Sequence, residues 1–278
     1  MLKLYQDVCR ECARHVTRRY STSFSLGIRV FDKPLRMPIY AVYGFVRFAD
    51  EIVDTFHDHD KADLLNRFRE DTYRAIDEGI SLNPVLQAFQ ETANRYNIGR
   101  DLIDPFLDSM EMDLHNDRYQ TQLYHRYIYG SAEVVGLMCL KVFVDGNEAE
   151  YQRLKASACS LGAAFQKINF LRDLRSDYYD RGRVYFPGVD FLKFTNDDKL
   201  RIEAEIKADF DHAYQGIKQL PRSARLGVYL AYVYYTKLFK KIRSAPAKQV
   251  TEERIRVPDS RKIYYLAGSA LRHRFNML

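Results

Sequence analysis

The chain has 278 residues, of which 46% are hydrophobic, and it carries a formal net charge of +6 with a sequence pI near 9.0. This length and apolar content allow a large core to be buried, which excludes a largely disordered chain. The net positive charge favours anionic partners, namely phosphates, nucleic acid or an anionic membrane surface. The 21 Tyr and 17 Phe residues suit a roomy apolar pocket as well as an ordinary core.

No stretch of the sequence has the length of apolar residues that a membrane-spanning helix needs. The two most apolar stretches are VVGLMCLKVFV, which contains Lys141, and VYLAYVYY, which is followed by Thr236 and then Lys237. The first residues, MLKLYQDVCRECARH, are charged at helical spacing and lack the apolar region of a signal peptide. We therefore expect a cytoplasmic protein.

In chain order, apolar residues recur at three- and four-residue spacing through ten segments, which predicts ten helices. The segments are residues 3–19, 36–55, 61–79, 84–96, 101–116, 122–144, 148–179, 197–218, 222–243 and 259–275. Gly, Pro, Asn and Asp residues at the breaks predict turns, and no alternating pattern predicts a strand. Because the breaks are short and no Gly/Ser-rich linker occurs, we expect an all-α, single-domain helical bundle over residues 1–278.

Two stretches are similar to metal-binding motifs. Cys9 and Cys12 have the spacing of half a zinc or redox site, but Cys139 and Cys159 do not form a second close pair. We expect free buried thiols in a reducing compartment. The stretch FHDHD at residues 56–60 follows a predicted helix, and we expect a solvated polar turn there.

One short acidic pattern occurs twice, as FVRFADEIVD at residues 45–54 and as INFLRDLRSD at residues 168–177. Asp50 and Asp54 in the first copy, and Asp173 and Asp177 in the second, are four residues apart. On a helix such acids are offset by about 40° and about 6 Å, so both carboxylates point the same way. Their repulsion in a partly buried groove is costly unless a cation lies between them. The repetition favours a shared cation site over a solvated helix face.

The residue types near these acids indicate which cation and which anion are bound. The second copy adds Asn169 one turn before Asp173, and carboxylate and amide oxygens suit Mg²⁺ that bridges to substrate phosphates. Arg47 and Arg172 lie close by and can clamp diphosphate oxygens. The pattern therefore predicts a site where a diphosphate leaves an allylic ester, helped by metal and guanidinium charge. The predicted metal ligands are Asp50, Asp54, Asn169, Asp173 and Asp177.

Further motifs along the chain carry a resemblance to a known family. They are YSTSF at 20–24, YAVYGFVRFADEIVD at 40–54, SMEMDL at 109–114, YIYGSAEVVGLM at 127–138, LGAAFQKINFLRDLRSD at 161–177, GRVYFP at 182–187 and, weakly, ERIRVP at 253–258. With these motifs the chain resembles the squalene and phytoene synthases, the head-to-head prenyltransferases of the all-α isoprenoid synthase fold. Within that family it is most similar to bacterial phytoene synthases.

The resemblance implies roles for individual residues. The five predicted metal ligands match the family's metal-binding positions, and Arg47 and Arg172 resemble its diphosphate-facing arginines. Phe24, Tyr127 and Tyr185 look like its aromatic or phenolic groups near the reacting carbons, where a ring can stabilise a cation; ordinary core packing of these rings is the alternative. The remaining substrate-binding positions implied are Ser21, Tyr43, Gln166, Arg183, Tyr235 and Arg254.

The sequence departs from the family pattern at three places. Glu133 stands where many relatives have a small residue, and either adds a carboxylate near the bundle centre or faces a basic neighbour. One additional residue lies between Asp177 and Tyr185, which affects the expected placement of Arg183 and Tyr185. Ser176 replaces a common acid and leaves the pair of aspartates intact. Asp113, in SMEMDL, is a candidate supporting residue for the site.

The implied reaction joins two geranylgeranyl diphosphates to phytoene through a cyclopropyl diphosphate intermediate, releasing two diphosphates. The resemblance implies Mg²⁺, with Mn²⁺ as a substitute, and NADPH is not expected for phytoene synthesis. Squalene or dehydrosqualene synthesis from farnesyl diphosphate is the alternative. Chain-elongating prenyltransferases and terpene cyclases would normally show a DDxxD motif, which this sequence lacks.

Two other classes of function were weighed against catalysis. A non-catalytic helical assembly factor would be expected to lose some of the four aspartates, and all four are present. We expect no nucleic-acid partner, because Lys and Arg are scattered among acids rather than clustered with exposed aromatics. The basic end from Arg254 to Arg274 predicts peripheral contact with an anionic membrane, where a hydrocarbon product must go.

Overall fold

The computed structural model describes residues 1–115 and 119–256, and this part of the chain contains twelve α-helices and no β-strand. In chain order they are α1 (Leu2–Tyr20), α2 (Thr22–Arg29), α3 (Lys33–Thr55), α4 (Lys61–Glu78), α5 (Pro84–Tyr96), α6 (Arg100–His115), α7 (Thr121–Ile128), α8 (Val134–Phe143), α9 (Glu148–Arg181), α10 (Asn196–Gln219), α11 (Arg222–Arg243) and α12 (Ala247–Glu252). A π-helical turn (Tyr129–Glu133) joins α7 to α8, and a 3₁₀ turn (Phe191–Lys193) precedes α10.

Local sequence determines where the helices start and stop. Asn83 accepts hydrogen bonds from the backbone of Val85 and Leu86, and Pro84 occupies the first turn of α5. Thr195 and Asp198 form a reciprocal capping box at the start of α10. The longest helix, α9, ends at Gly182, whose φ of 69° is left-handed and favours glycine.

The helix α9 is the central element of the bundle, and it packs against α8, α10, α11 and α12. One large apolar cluster lies on the α3, α5, α6 and α8 side, where the rings of Phe45 and Phe89 stack 3.9 Å apart. A second cluster lies around the C-terminal half of α9, including Phe170 and Tyr185. Leu161 and Tyr232 pack against both clusters, so the two form a continuous interior.

The prediction of an all-α bundle is confirmed over the described residues, with differences in detail. Two short helices, α2 and α12, were not predicted, because segments of eight and six residues carry little periodic signal. The predicted helix 122–144 is interrupted by the π-helical turn. The predicted helix 259–275 lies outside the described residues, so the single domain over residues 1–278 stays a prediction.

Among residues 1–115 and 119–256, none of the helices combines the length and the apolar character that crossing a bilayer requires.

Candidate active site

A cavity of about 840 Å³ runs through the bundle between α2, α3, α8, α9, α10 and α11. Its acidic end is lined by the aspartates of α3 and α9, whereas its other end is lined by apolar residues such as Phe31, Phe143 and Leu154. The sixteen site residues named from the sequence all line this one cavity. They are Ser21, Phe24, Tyr43, Arg47, Asp50, Asp54, Tyr127, Gln166, Asn169, Arg172, Asp173, Asp177, Arg183, Tyr185, Tyr235 and Arg254.

The acids of α3 lie on one face of the helix beside Arg47. Arg47 donates to Asp50 and, on its other side, to Glu51, and its guanidinium stacks 4.3 Å from the centroid of the Tyr20 ring. Burial, together with the nearby charge of Asp54, raises the pKa of Asp50 to about 6. A raised carboxyl pKa means that the negative charge is not fully compensated by the groups present, which favours the approach of a cation.

The acids of α9 show the same pattern on the opposite wall. Arg172 donates through Nε to Asp173 Oδ1 at 3.0 Å, and Arg254 Nε lies 2.7 Å from the same oxygen. Asp177 is buried, and this burial raises its pKa to about 6 despite the nearby guanidinium of Arg181. Both walls therefore hold partly compensated carboxylates.

Arg181 joins the two acidic helices, and the sequence analysis missed it. One guanidinium nitrogen lies 2.8 Å from Asp177 on its own helix, and the other lies 3.2 Å from Asp54 on α3. The i,i+4 spacing from Asp177 is the signal that could have indicated the first contact. The contact with Asp54 depends on the packing of α3 beside α9, which local sequence does not encode.

A chain of hydrogen bonds connects the amide side chains of the site. Gln166 donates to Ser131 of the π-helical turn at 3.1 Å, and Asn169 donates to Gln166 at 3.5 Å. The Tyr235 hydroxyl donates to the Asn169 carbonyl oxygen at 3.3 Å, while the Tyr235 ring stacks on Phe165 at 3.9 Å. These contacts hold the amide group of Asn169 in a defined orientation. Ser131 is a further residue that the sequence analysis did not name.

The Asp113 side chain is buried beneath the acidic end and accepts hydrogen bonds from three tyrosine hydroxyls. Tyr127 donates to it at 2.8 Å, Tyr119 at 3.1 Å and Tyr185 at 3.5 Å. Arg183 donates to the Asp113 backbone oxygen at 2.7 Å and also lies 3.6 Å from Asp54. Burial raises the pKa of Asp113, and Arg183 opposes this effect. The network connects the aromatic wall of the cavity to the aspartates of α3.

Aromatic rings line the cavity above and below this network. Phe170 and Tyr185 stack at 4.1 Å between centroids, and Tyr127 stacks on Tyr185 at 5.1 Å. Phe24 stacks on Tyr43 at 4.9 Å, on the α2 side. Faces of aromatic rings in a water-poor cavity can stabilise a carbocation electrostatically.

Residues 56–60, Cys9, Cys12 and Glu133, also noted in the sequence, do not line the cavity, whereas Cys139 does. Residues 56–60 form an exposed turn in which Asp60 caps α4, as expected. The four cysteines are free, with Cys9 buried and the other three half-buried. Burial raises the pKa of Glu133, whose neighbours are Cys159, Asp209 and Lys167. Lys167, the basic residue among these neighbours, forms its ion pairs with Glu205 and Asp209, so the two expected roles of Glu133 stay predictions.

The side chains at the acidic end are oxygen donors of the kind that bind a divalent cation. Among residues 1–115 and 119–256, no three His, Cys, Asp or Glu side chains converge into a preformed metal cluster. Instead, each wall offers a pair of helical carboxylates, and α9 adds the amide oxygen of Asn169. Mg²⁺ is usually held by one or two carboxylates together with substrate phosphates and water. These oxygen donors, with the pKa of Asp50 and of Asp177 raised to about 6, fit Mg²⁺ sites that phosphate oxygens and water would complete.

The geometry defines an all-α protein of the isoprenoid synthase type, with acidic helices at one end of an apolar cavity. Comparison with known proteins agrees. The model of the squalene/phytoene synthase family matches residues 17–261. A 15-cis-phytoene synthase of Synechocystis sp. is 30% identical over 94% of this chain and 84% of its own, and one of Synechococcus elongatus is 30% identical over 96% and 93%. The chain belongs to the squalene/phytoene synthase family.

Solved structures share the fold at lower sequence identity. A dehydrosqualene synthase in complex with ligand has a TM-score of 0.83 at 20% identity and covers 97% of both chains. The squalene synthase HpnC from Alicyclobacillus acidocaldarius has a TM-score of 0.75 at 21% identity, covering 90% of this chain and 97% of its own. The expected isoprenoid synthase fold and membership of this prenyltransferase family are thus confirmed.

Proposed function

We propose that this chain condenses two geranylgeranyl diphosphates head to head into phytoene, through a cyclopropyl diphosphate intermediate, and releases two diphosphates. The observation that carries the proposal is the single cavity with acids and arginines at one end and apolar side chains at the other. The choice of phytoene rests on the similarity to 15-cis-phytoene synthases over nearly the whole chain.

The acidic end would bind the diphosphates. Asp50, Asp54, Asn169, Asp173 and Asp177 would hold Mg²⁺, which when bound neutralises diphosphate charge and so assists its departure. Arg47 and Arg172 lie on the two walls and would donate hydrogen bonds to diphosphate oxygens. To do so they would exchange their present contacts with Asp50 and Asp173, whose carboxylates would then be free to hold metal ions.

The aromatic wall would serve the reacting carbons. Tyr127, Tyr185 and Phe24 lie along the cavity, where their rings would face the allylic cation and exclude water. Asp113 holds the hydroxyls of both tyrosines, so that their ring faces keep a fixed orientation. Ser21, Tyr43, Gln166, Arg183, Tyr235 and Arg254 complete the proposed substrate-binding set.

A product analysis tests the proposal. Purified protein is incubated with Mg²⁺ and either geranylgeranyl or farnesyl diphosphate, with and without NADPH, and the hydrocarbons are identified by mass spectrometry. Phytoene from geranylgeranyl diphosphate without NADPH supports the proposal. Squalene or dehydrosqualene from farnesyl diphosphate would move the assignment to the alternative activity, and absence of any product would favour a non-catalytic helical protein.

We also propose that the basic C-terminal end rests on an anionic membrane, which would receive the hydrocarbon product. Arg254 and Arg256 belong to the described residues, whereas the rest of this segment, to Arg274, lies outside them. Binding to liposomes containing anionic lipid should weaken as salt is raised. Absence of binding at low salt would contradict this part of the proposal.

A further inference from the structure

The cavity extends far beyond the acidic end. Asp173 and Leu154 both line it from α9, and their separation in sequence corresponds to about 28 Å of helix. On α11, Tyr235 lies by the acids while Gly227 lines the opposite end, about 12 Å further along the helix axis. An apolar chain attached to a diphosphate at the acidic end would therefore run toward Phe31, Phe143 and Gly227.

The ring of Phe31 is held at this apolar end by contacts on two sides. It packs against Phe143, with 5.0 Å between ring centroids. On the other side it lies directly on the backbone of Gly227, where a Cβ would be 2.3 Å from Phe31 Cε1 and 2.6 Å from Cδ1. Only glycine leaves room for the ring in this position, since real Cβ atoms do not approach so closely.

The backbone at Phe31 is anchored as firmly as its ring. Its carbonyl oxygen accepts a hydrogen bond from Arg36 Nε at 2.8 Å, and the next residue, Asp32, donates through its backbone N–H to the Ser223 carbonyl oxygen at 3.1 Å. The second bond ties the segment to the beginning of α11, four residues before Gly227. Phe31 is therefore held through its ring and through its backbone, and both sets of contacts involve α11.

We propose that the Phe31 ring, seated on Gly227, is the end stop that determines which prenyl chain length the cavity accepts. The inference rests on the proposed function, because it assumes that prenyl diphosphates bind with their diphosphates at the acidic end. An anchored ring cannot yield to a longer chain without disturbing Phe143 and α11. Removing the ring lengthens the cavity, whereas a methyl group on Gly227 must push the ring away from α11 and shortens it.

The two changes predict opposite shifts in substrate selectivity. We would measure kcat/KM for farnesyl, geranylgeranyl and geranylfarnesyl diphosphate, which differ by one isoprene unit each, and the inhibition constants of their non-reactive thiodiphosphate analogues. In Phe31→Ala and Phe31→Leu the preference should move toward the longer chain by about tenfold or more, the scale of discrimination that one misplaced methylene can produce. In Gly227→Ala it should move toward farnesyl diphosphate by a similar factor.

Phe68 offers a matched control. It is 7% exposed, compared with 6% for Phe31, and it packs in the same apolar cluster without lining the cavity. Phe68→Leu therefore removes a comparable buried ring and should leave the ratios between chain lengths unchanged. If Phe31→Ala does not fold, Phe31→Leu, which keeps an apolar side chain, and Gly227→Ala carry the test together.

The outcomes separate this inference from the proposed function. Wild-type protein that neither converts nor binds any of the three diphosphates would overturn the proposed function. The role of Phe31 alone would be overturned if the wild type is active but the two variants do not differ as predicted. This would be the case if the ratios of kcat/KM between chain lengths stay the same in both Phe31→Leu and Gly227→Ala, or shift in the same direction in both. If Phe68→Leu changes the chain-length ratios as much as Phe31→Leu does, the effect comes from general loosening of the core. This result would also overturn the role of Phe31.

Discussion

At the scale of single residues, Arg181 pairs with an acid on each of the two walls. Its guanidinium lies between Asp54 and Asp177, where it provides positive charge in the absence of a metal ion. The aspartates themselves could be predicted, because their four-residue spacing appears in the sequence. The bridging arginine could not, because the contact with Asp54 joins residues on different helices that only the tertiary packing brings together.

Replacing Arg181 with Met should therefore increase the electrostatic repulsion between the acids of the two walls when no metal is bound. Because the guanidinium is 41% exposed, we expect a loss on the order of 1 kcal/mol in the free energy of unfolding, measured by urea denaturation without Mg²⁺. Added Mg²⁺ should stabilise the variant more than it stabilises the wild type. Arg175→Met, on the exposed side of the same helix, is the control; equal losses in the two variants would contradict the role given to Arg181.

Glu133 provides a prediction about pH. Because burial raises its pKa in the folded protein, the folded state keeps a proton that the unfolded state has already lost. The folded protein should therefore lose stability as the pH rises from about 4.5 through the raised pKa of Glu133. Glu133→Gln should lack this loss, so its urea midpoint relative to wild type should rise over that window. A constant difference between the two proteins across the window would show that Glu133 is not the group responsible.

At the scale of elements, the π-helical turn between α7 and α8 sets how closely this part of the chain approaches α6. Gly130, in that turn, lies so close to α6 that a Cβ would be 2.2 Å from the Pro105 carbonyl oxygen and 2.7 Å from Ser109 Cβ. The same turn supplies Ser131, which accepts the hydrogen bond from Gln166. Apolar periodicity predicted one continuous helix here, because a single π-helical turn changes the pattern too little to be detected.

Gly130→Ala should force α6 and the π-helical turn apart. We expect a loss of about 1–3 kcal/mol in the free energy of unfolding, typical of overpacking, measured by chemical denaturation. Gly27→Ala is the matched control, since a Cβ there would meet nothing within 4 Å and alanine favours a helix. A Gly130→Ala protein as stable as the Gly27→Ala protein would contradict the close approach described here.

At the scale of the whole molecule, the sequence indicated the helical class and nearly every long helix, because apolar periodicity and terminal Gly, Pro and Asn residues are local signals. It also indicated which side chains meet in the cavity, although chiefly through resemblance to a family. What it could not supply were contacts that depend on how the helices pack. Examples are the Phe31 ring on Gly227, the Asp113 network with three tyrosines, and the position of Arg181.

In the proposed mechanism, the acids of α3 and α9, together with Mg²⁺, would carry the departure of diphosphate. The most direct test of this mechanism measures diphosphate release and hydrocarbon formation from geranylgeranyl diphosphate by wild type, Asp50→Asn and Asp173→Asn across a Mg²⁺ titration, with helix content followed by circular dichroism. We expect the turnover of the wild type to require Mg²⁺. In both variants we expect the turnover rate to fall at least a hundredfold, which corresponds to about 3 kcal/mol of transition-state stabilisation, while helix content stays unchanged. Full turnover by either variant, or by wild type in excess chelator, would contradict this mechanism.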